Sequence, residues 1–539
     1  MKRHINWQLS SVVISSLVAT PLIALLYLSF TQSNGLELWQ HLANTVLADY
    51  VYSSLVLMLG VAILTLFFGV ASAFIVTQYQ FKGVGFFNWA LLLPLAMPAY
   101  ITAYSYTGLL DVAGPIQSLF RSSFGLEYGD YWFPQIRSMG GAVFVLSFVL
   151  YPYVYLLARA AFLEQSQHLR DVGQTLGLTH RQAFFKITLP IARPAIMAGL
   201  ALALMETLAD FGAVSYFGVN TFTTGIFRTW YGLDSVSGAA QLALILLGFV
   251  LLLLALEKNA HKHQGFHTKK ANKKAAAKKI SGTQQVLAIT LVFMPLLFGF
   301  IIPVAQLLFW AIADNAQLFS LRFWTLIANT VILATITALL AVSLALLIAY
   351  GHRISQSNVS RIAKQIAGLG YAVPGLVIAV GTLIPLAFID NSIDAFLRSN
   401  FDVSSGLLLS GTLVALIVAY LVRFLAVAIN SVDAGLNSIA PNMDQAARSL
   451  GMSPLAVLKN VHLPIISSSA LTALLIVFVD VMKELPATLV LRPFNFNTLA
   501  VRAYELASDE RLSDAALPSL AIVLVGLLPV ILLTKKIKQ

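Results

Sequence analysis

The sequence predicts an all-α polytopic membrane protein of about twelve transmembrane helices, arranged as two fused six-helix repeats. Three observations point there. Of 539 residues, 58% are hydrophobic and only 11% charged, against about 25% charged in a soluble domain. Apolar runs repeatedly reach the roughly 20 residues needed to cross a bilayer. They read as helices, because barrel strands would be about 10 residues long and would alternate. Finally, a polar motif occurs twice: Leu176-Gly177, eleven residues, Leu189-Pro190, and then Leu450-Gly451, eleven residues, Leu463-Pro464. The offset is 464 − 190 = 274.

In chain order the spans are expected at 10–30, 51–76, 86–110, 139–161, 194–217, 239–256, 285–312, 327–350, 366–389, 407–429, 467–490 and 516–534. The first follows Met1-Lys2-Arg3-His4 like a signal peptide. It lacks a small-residue cleavage site and many spans follow, so it reads as a retained helix. The first repeat covers 1–256 and the second 285–539, joined by a basic linker at 257–284. Residues 257–283 hold eight Lys and three His and read as a solvated tether. Each copy of the motif is expected to open as a short helix, turn at its Gly, resume as an amphipathic helix and stop at its Pro.

Charge placement sets orientation. With the N-terminus inside, Lys82, Lys186, Lys364, Lys459, the linker, Lys535, Lys536 and Lys538 all fall on the inner side. The outer loops hold no Lys, only Arg such as Arg121, Arg228, Arg322 and Arg502. The positive-inside rule then places both termini and both motif copies in the cytoplasm. Loops 111–138 and 491–515 are the largest outer surfaces. The net charge of +11 is thus topological and does not indicate a nucleic-acid partner. With no Cys, a disulfide framework and a thiolate metal site are excluded. The halves match further: Thr224 and Arg228 recur as Thr498 and Arg502 at 274, and Pro98 recurs as Pro374 at 276.

No phosphate-cradling G-x-x-x-x-G-K-[ST], H-E-x-x-H or nucleophile elbow occurs. The chain is therefore expected not to be an enzyme and to bind no cofactor; any ATP with its Mg would act on a partner. The informative residues are charges inside spans, each costing about 2.5–3.5 kcal/mol on insertion scales. Glu206 and Asp210 in the fifth span recur as Asp480 and Glu484 in the eleventh, with 480 − 206 = 484 − 210 = 274. Each pair is expected at i, i+4 on one helical face. Four carboxylates around one pathway would suit a hard cation. The competing reading is polar glue, with Lys483 on Asp480 or Glu484 and Arg159 or Arg423 on another carboxylate. Pro486 should break its helix, with Gly212 as its counterpart. Tyr100, Tyr104 and Tyr106 read as a pathway lining or an interfacial belt, and Tyr151, Tyr153 and Tyr155 as packing.

The repeated motif and the six-plus-six layout resemble the permease subunits of bacterial binding-protein-dependent ABC importers. Their coupling loop carries E-A-A, three residues, Gly, about nine more, then an apolar residue-x-Leu-Pro. Here the second copy has Gln445-Ala446-Ala447, Gly451, Val461, Leu463 and Pro464. The first has Asp171-Val172-Gly173, Gly177, Ile187, Leu189 and Pro190 and so departs at E-A-A. Within that superfamily the strings at 150–166, 203–232, 483–512 and 516–533 look most like the ferric-iron permeases, with thiamine permeases as near relatives. The resemblance implies two type I permease repeats in a bacterial inner membrane, with coupling loops at 162–193 and 430–466. It implies two copies of a cytoplasmic ABC ATPase contacting Asp171, Gly173, Gly177, Leu189, Pro190, Ala446, Ala447, Gly451, Leu463 and Pro464. It also implies a periplasmic ferric-iron-binding protein, with Arg228 and Arg502 as docking or gate residues. An ion-gradient carrier of twelve spans is the rival from another class. Its basic Gly-rich loop after the second span is poorly matched by QYQFKGVGF at 78–86, which has one Lys.

Overall fold

The computed structural model describes residues 2–31, 35–164, 179–262, 278–313 and 320–538. The first repeat comprises α1 (Lys2–Thr31), α2 (Gly35–Thr45), α3 (Leu47–Gln78), α4 (Val84–Ala90), α5 (Ala99–Leu110), α6 (Pro115–Phe124), α7 (Met139–Glu164), α8 (Phe184–Ala209), α9 (Gly212–Tyr216), α10 (Phe222–Tyr231) and α11 (Val236–Lys262). The second comprises α12 (Thr283–Ala313), α13 (Leu321–Ser355), α14 (Asn358–Ala367), α15 (Gly375–Phe401), α16 (Leu413–Asn437), α17 (Pro441–Ser449), α18 (Pro454–Met482), α19 (Pro486–Leu491), α20 (Leu499–Ser508) and α21 (Ala516–Lys538). Among the described residues the only strand pairing is two residues long, Tyr79–Gln80 beside Lys278–Lys279.

Ten helices among these residues are long and apolar enough to cross a membrane. The expected third span is a broken one, Val84–Ala96 and Ala99–Phe124, bent by 92°. The expected twelfth is the shorter apolar stretch Ala516–Ile531. Every expected span therefore meets a helix. The bend follows from Pro98, which takes extended backbone (φ −61°, ψ 139°) as the N-cap of α5. Pro374 does the same before α15 (φ −57°, ψ 142°), so the 276-residue match is structural.

Each repeat has a three-helix core. In the first, α7 packs on α3 and α8; in the second, α13, α16 and α18 pack on one another. Small residues make the close approaches, as expected where hydrophobic drive between helices is absent. A Cβ on Gly69 would lie 2.7 Å from Val154, and one on Gly199 would lie 2.8 Å from the Tyr153 carbonyl oxygen. Large apolar side chains such as Leu59, Ile63 and Phe67 point outward. The first helices are exchanged. Helix α1 packs on α13, α14 and α15 of the second repeat, while α12 packs on α3 and α5 of the first. Trp7 meets Tyr350 edge-on, and Tyr106 donates to the Phe298 carbonyl at 2.7 Å.

The motif differs from expectation at its end: neither Pro190 nor Pro464 stops its helix. A π turn precedes each, over Phe184–Thr188 and Leu458–His462, again 274 apart. In each the Leu before Pro donates five residues back, to Phe184 or Leu458. The widened turn lets the helix run on past a residue with no N–H. The turn at Gly451 is as expected. With φ +77° it ends α17, Met452 N donates to the Ala447 carbonyl at 3.1 Å, and Ser453 caps the next helix. That pattern is a Schellman cap. The first copy's Asp171, Gly173 and Gly177 lie outside the described residues.

Candidate functional site

The fifth and eleventh expected spans both break where their carboxylates lie. Helix α8 ends at Ala209, Asp210 is extended (φ −66°, ψ 132°), and α9 begins at Gly212. Helix α18 ends at Met482 and α19 starts at Pro486. The second carboxylate of each pair caps the short helix beyond the break. Asp210 Oδ1 accepts from Ala213 N and Val214 N, both at 3.1 Å. Glu484 accepts from Ala487 N and Thr488 N at 3.0 Å each and from Thr488 Oγ1 at 2.7 Å. Orphan N–H groups at a helix start are thereby satisfied by a charge of favourable sign. The expectation of two carboxylates on one continuous helical face is corrected accordingly, because the chain breaks between them.

All four carboxylates line one cavity of about 140 Å³ between the repeats. Tyr100, Tyr153, Tyr371, Arg423 and Lys483 share its wall. Gly212 seats one side of it: a Cβ there would lie 2.7 Å from Tyr100 and 2.9 Å from Leu485 of the other repeat. The carboxylates are not equivalent. Arg423 Nη1 lies 3.2 Å from Glu484 Oε1, with both side chains largely buried. A Cβ on Gly375 would lie 2.2 Å from that guanidinium, so the pair is pressed against the start of α15. Lys483 Nζ lies 2.8 Å from Asp480 Oδ1. Glu206 makes no hydrogen bond or ion pair among the described residues. The four do not form a cage: among the described residues no three His, Asp or Glu are grouped to hold a metal ion. What the cavity offers a cation is one uncommitted carboxylate, Glu206, and one held by a partly exposed lysine, Asp480.

The tyrosines divide differently from expectation. Tyr100, Tyr104 and Tyr106 are all buried rather than forming a belt. Tyr151 and Tyr155 donate to the Leu91 and Asn88 carbonyls at 2.9 and 3.0 Å and are packing residues. Tyr153 reaches the cavity. Sequence reasoning missed Tyr371, although it lies just before the matched Pro374.

At the end of the molecule away from the repeated loops, Arg137 donates to both Glu510 oxygens (2.6 and 2.7 Å) and lies 3.3 Å from Asp111. The Arg137 guanidinium holds the Glu510 carboxyl below the usual carboxylate range. Beside this junction the loop 111–138 forms a second cavity of about 450 Å³, bordered by Gln117, Tyr131 and the exposed Trp132. Arg228 is exposed and donates to Asn220 Oδ1 at 2.6 Å, while Arg502 pairs with Glu505 at 3.4 Å. The two are not matched by structure. Thr221 caps α10 and Thr498 caps α20, which makes the local offset 498 − 221 = 277. At the opposite end Met443, Leu450 and Leu455 leave an apolar face exposed around the Gly451 turn. Ala446 is exposed, Ala447 is buried, and Leu189, Pro190, Leu463 and Pro464 lie in the continuous helices beyond.

Residues 87–262 match the family of binding-protein-dependent transport system inner membrane components. Across 91% of its length the chain is 27% identical to the Fe(3+)-transport system permease protein FbpB 2 of Haemophilus influenzae, covering 90% of that protein. It is 24% identical, over 81% of its length and 64% of the relative, to the ferric transport system permease protein FbpB of Actinobacillus pleuropneumoniae. The sulfate transport system permease protein CysT of Escherichia coli is 28% identical over 45% of this chain and 88% of its own. About half of this chain thus accounts for nearly a whole CysT.

Proposed function

We propose that this binding-protein-dependent transport permease, a multi-pass membrane protein, carries ferric iron across the bacterial inner membrane by ATP-driven alternating access. The observation that carries the reading is the cavity at the two helix breaks, with Glu206 uncommitted and four carboxylates facing two cations. An excess of carboxylates attracts a hard cation and repels the oxyanion named for the sulfate relative. The end-to-end likeness to an Fe(3+)-transport permease points the same way.

In this reading both termini and both repeated loops are cytoplasmic. Two copies of an ABC ATPase receive the loops, the second through Met443, Leu450 and Leu455, whose exposed side chains suit an amphipathic helix seated in a groove. A ferric-iron-binding protein docks on the outer loops 111–138, 218–238 and 491–515. ATP is hydrolysed on the partner, and this chain supplies the pathway. Thiamine is the second reading, favoured by Tyr100, Tyr153 and Tyr371 at the cavity, since aromatic faces attract organic cations.

The test is uptake by the reconstituted complex of labelled iron against labelled thiamine. Iron uptake is expected. Glu206→Gln combined with Asp480→Asn should abolish it while the purified complex stays assembled. Thiamine uptake without iron uptake, or unchanged iron uptake by the double variant, rejects the assignment.

A further inference from the structure

The second repeated loop is tied to the helix bundle by a network of charged side chains. Asp444, in the first turn of α17, sits at its centre. Its Oδ2 accepts from Arg353 Nε at 2.8 Å, and its Oδ1 lies 2.5 Å from His462 Nε2. An ionised carboxylate only accepts, so Nε2 carries the proton. His462 is fully buried in the π turn of α18, and Arg353 is in the last turn of α13. The same guanidinium donates to the carbonyl of Leu436, in the last turn of α16, and to that of Ile439 just beyond it, the latter at 3.0 Å. Tyr350, one turn before Arg353, donates to the Pro454 carbonyl at 2.7 Å and stands edge-on to His462 at 5.2 Å. One carboxylate therefore joins the loop helix to α13, α16 and α18.

The matched positions in the first repeat carry different chemistry. Position 444 − 274 = 170 is Arg170, and 462 − 274 = 188 is Thr188. The π turn there is packed by rings: Phe184 lies 4.2 Å from Phe74 and 6.3 Å from Phe162. Ring contacts allow sliding. A charged, buried and directional network has one geometry and a large penalty for partial rupture.

We propose that Asp444 is a positioning residue that latches the second loop to α13 and α18, so that loop and helices move as one body under the ATPase stroke. The proposal rests on the reading of this loop as the ATPase-coupling surface.

The chain has no cysteine, so spin labels can be placed at Asn442→Cys and Ser467→Cys without background. The measurements are the label-to-label distance in the assembled permease–ATPase complex, nucleotide-free and vanadate-trapped, and iron transported per ATP hydrolysed. The parent should give one narrow distance in both states. Asp444→Asn should broaden it and lower iron per ATP by about tenfold, with hydrolysis retained, and Asp444→Glu should recover most of the ratio. A parent distance that shifts on trapping overturns the latch. So does an Asp444→Asn complex with an unchanged ratio, or one in which uptake and hydrolysis fall together. If Asp444→Asn does not assemble, Arg353→Lys, which keeps the charge but not the fork, is judged by the same ratio. Failure of the parent to move iron at all would reject the proposed cargo, while the distance measurement would still decide the latch.

Discussion

The breaks after α8 and after α18 share one register and differ in charge. In both, a carboxylate just past the break caps a short helix, and a second lies four residues earlier. The first break has Val149 where the second has Arg423, and Ala209 where the second has Lys483; 423 − 149 and 483 − 209 both equal 274. All four residues line the same cavity. The carboxylate cap is thus the shared device, and the counter-ions belong to one side only. The cavity is lopsided: Glu206 faces it open, whereas Asp480 is covered by Lys483. Capping is a structural requirement of a broken helix, so two of four intramembrane carboxylates have a role independent of any cargo.

The sharpest way to break this comparison is Arg423→Val, which copies the first repeat. Glu484 would remain buried without its partner, and loss of one member of a buried pair costs about 3–5 kcal/mol. Thermal unfolding of the purified complex should show it, and Glu484→Gln added to Arg423→Val, which removes the unpaired charge, should recover part. No loss from the single variant would mean that a capped carboxylate suffices at both breaks, as at Asp210. Smaller in effect is Lys483→Ala, again the first repeat's residue. With Asp480 uncovered, retention of labelled iron by the nucleotide-free complex should rise about tenfold, ~1.4 kcal/mol. A fall would show that Lys483 supports the wall rather than competing with cargo. Smallest is Glu510→Gln at the far junction of the repeats. Both partners there are substantially exposed, so solvent screening limits the cost to under about 1 kcal/mol. Because the folded Glu510 carboxyl is depressed, its contribution is present above the unfolded value, ordinarily near 4.3, and is lost as pH falls through the lower folded one. The variant should lose that contribution at neutral pH, less than about 1 kcal/mol, and should match the parent once pH falls below the folded value, which removes the acid sensitivity.

The helices, the duplication and the carboxylate offset were legible in the sequence because each is a local or periodic signal. The Gly451 turn was legible because a left-handed residue after a helix favours glycine. The continuation past Pro190 and Pro464 was not, since it depends on a π turn that no residue type announces. The Thr224–Thr498 match misled because three residues of difference entered before the cap, and only the hydrogen bonds of Thr221 and Thr498 reveal the true alignment. The sequence left Tyr100, Tyr104 and Tyr106 open between a pathway lining and a belt, because an apolar helix end looks the same whether it meets lipid or another helix; burial rules out the belt and Tyr100 lines the cavity. Asp444, Arg353 and His462 were invisible as a group because their partners lie 91 and 18 residues away.

The exchange of first helices has a mechanical consequence. Helix α1 is seated on α13, α14 and α15, and α12 on α3 and α5. If the two cores swing apart, each takes with it a helix encoded in the other half of the gene. The line along which the molecule opens therefore does not follow the line along which the sequence duplicated. Separately expressed halves would each present a socket made for a helix they do not own, so cutting the linker after assembly and omitting a half before assembly are different experiments.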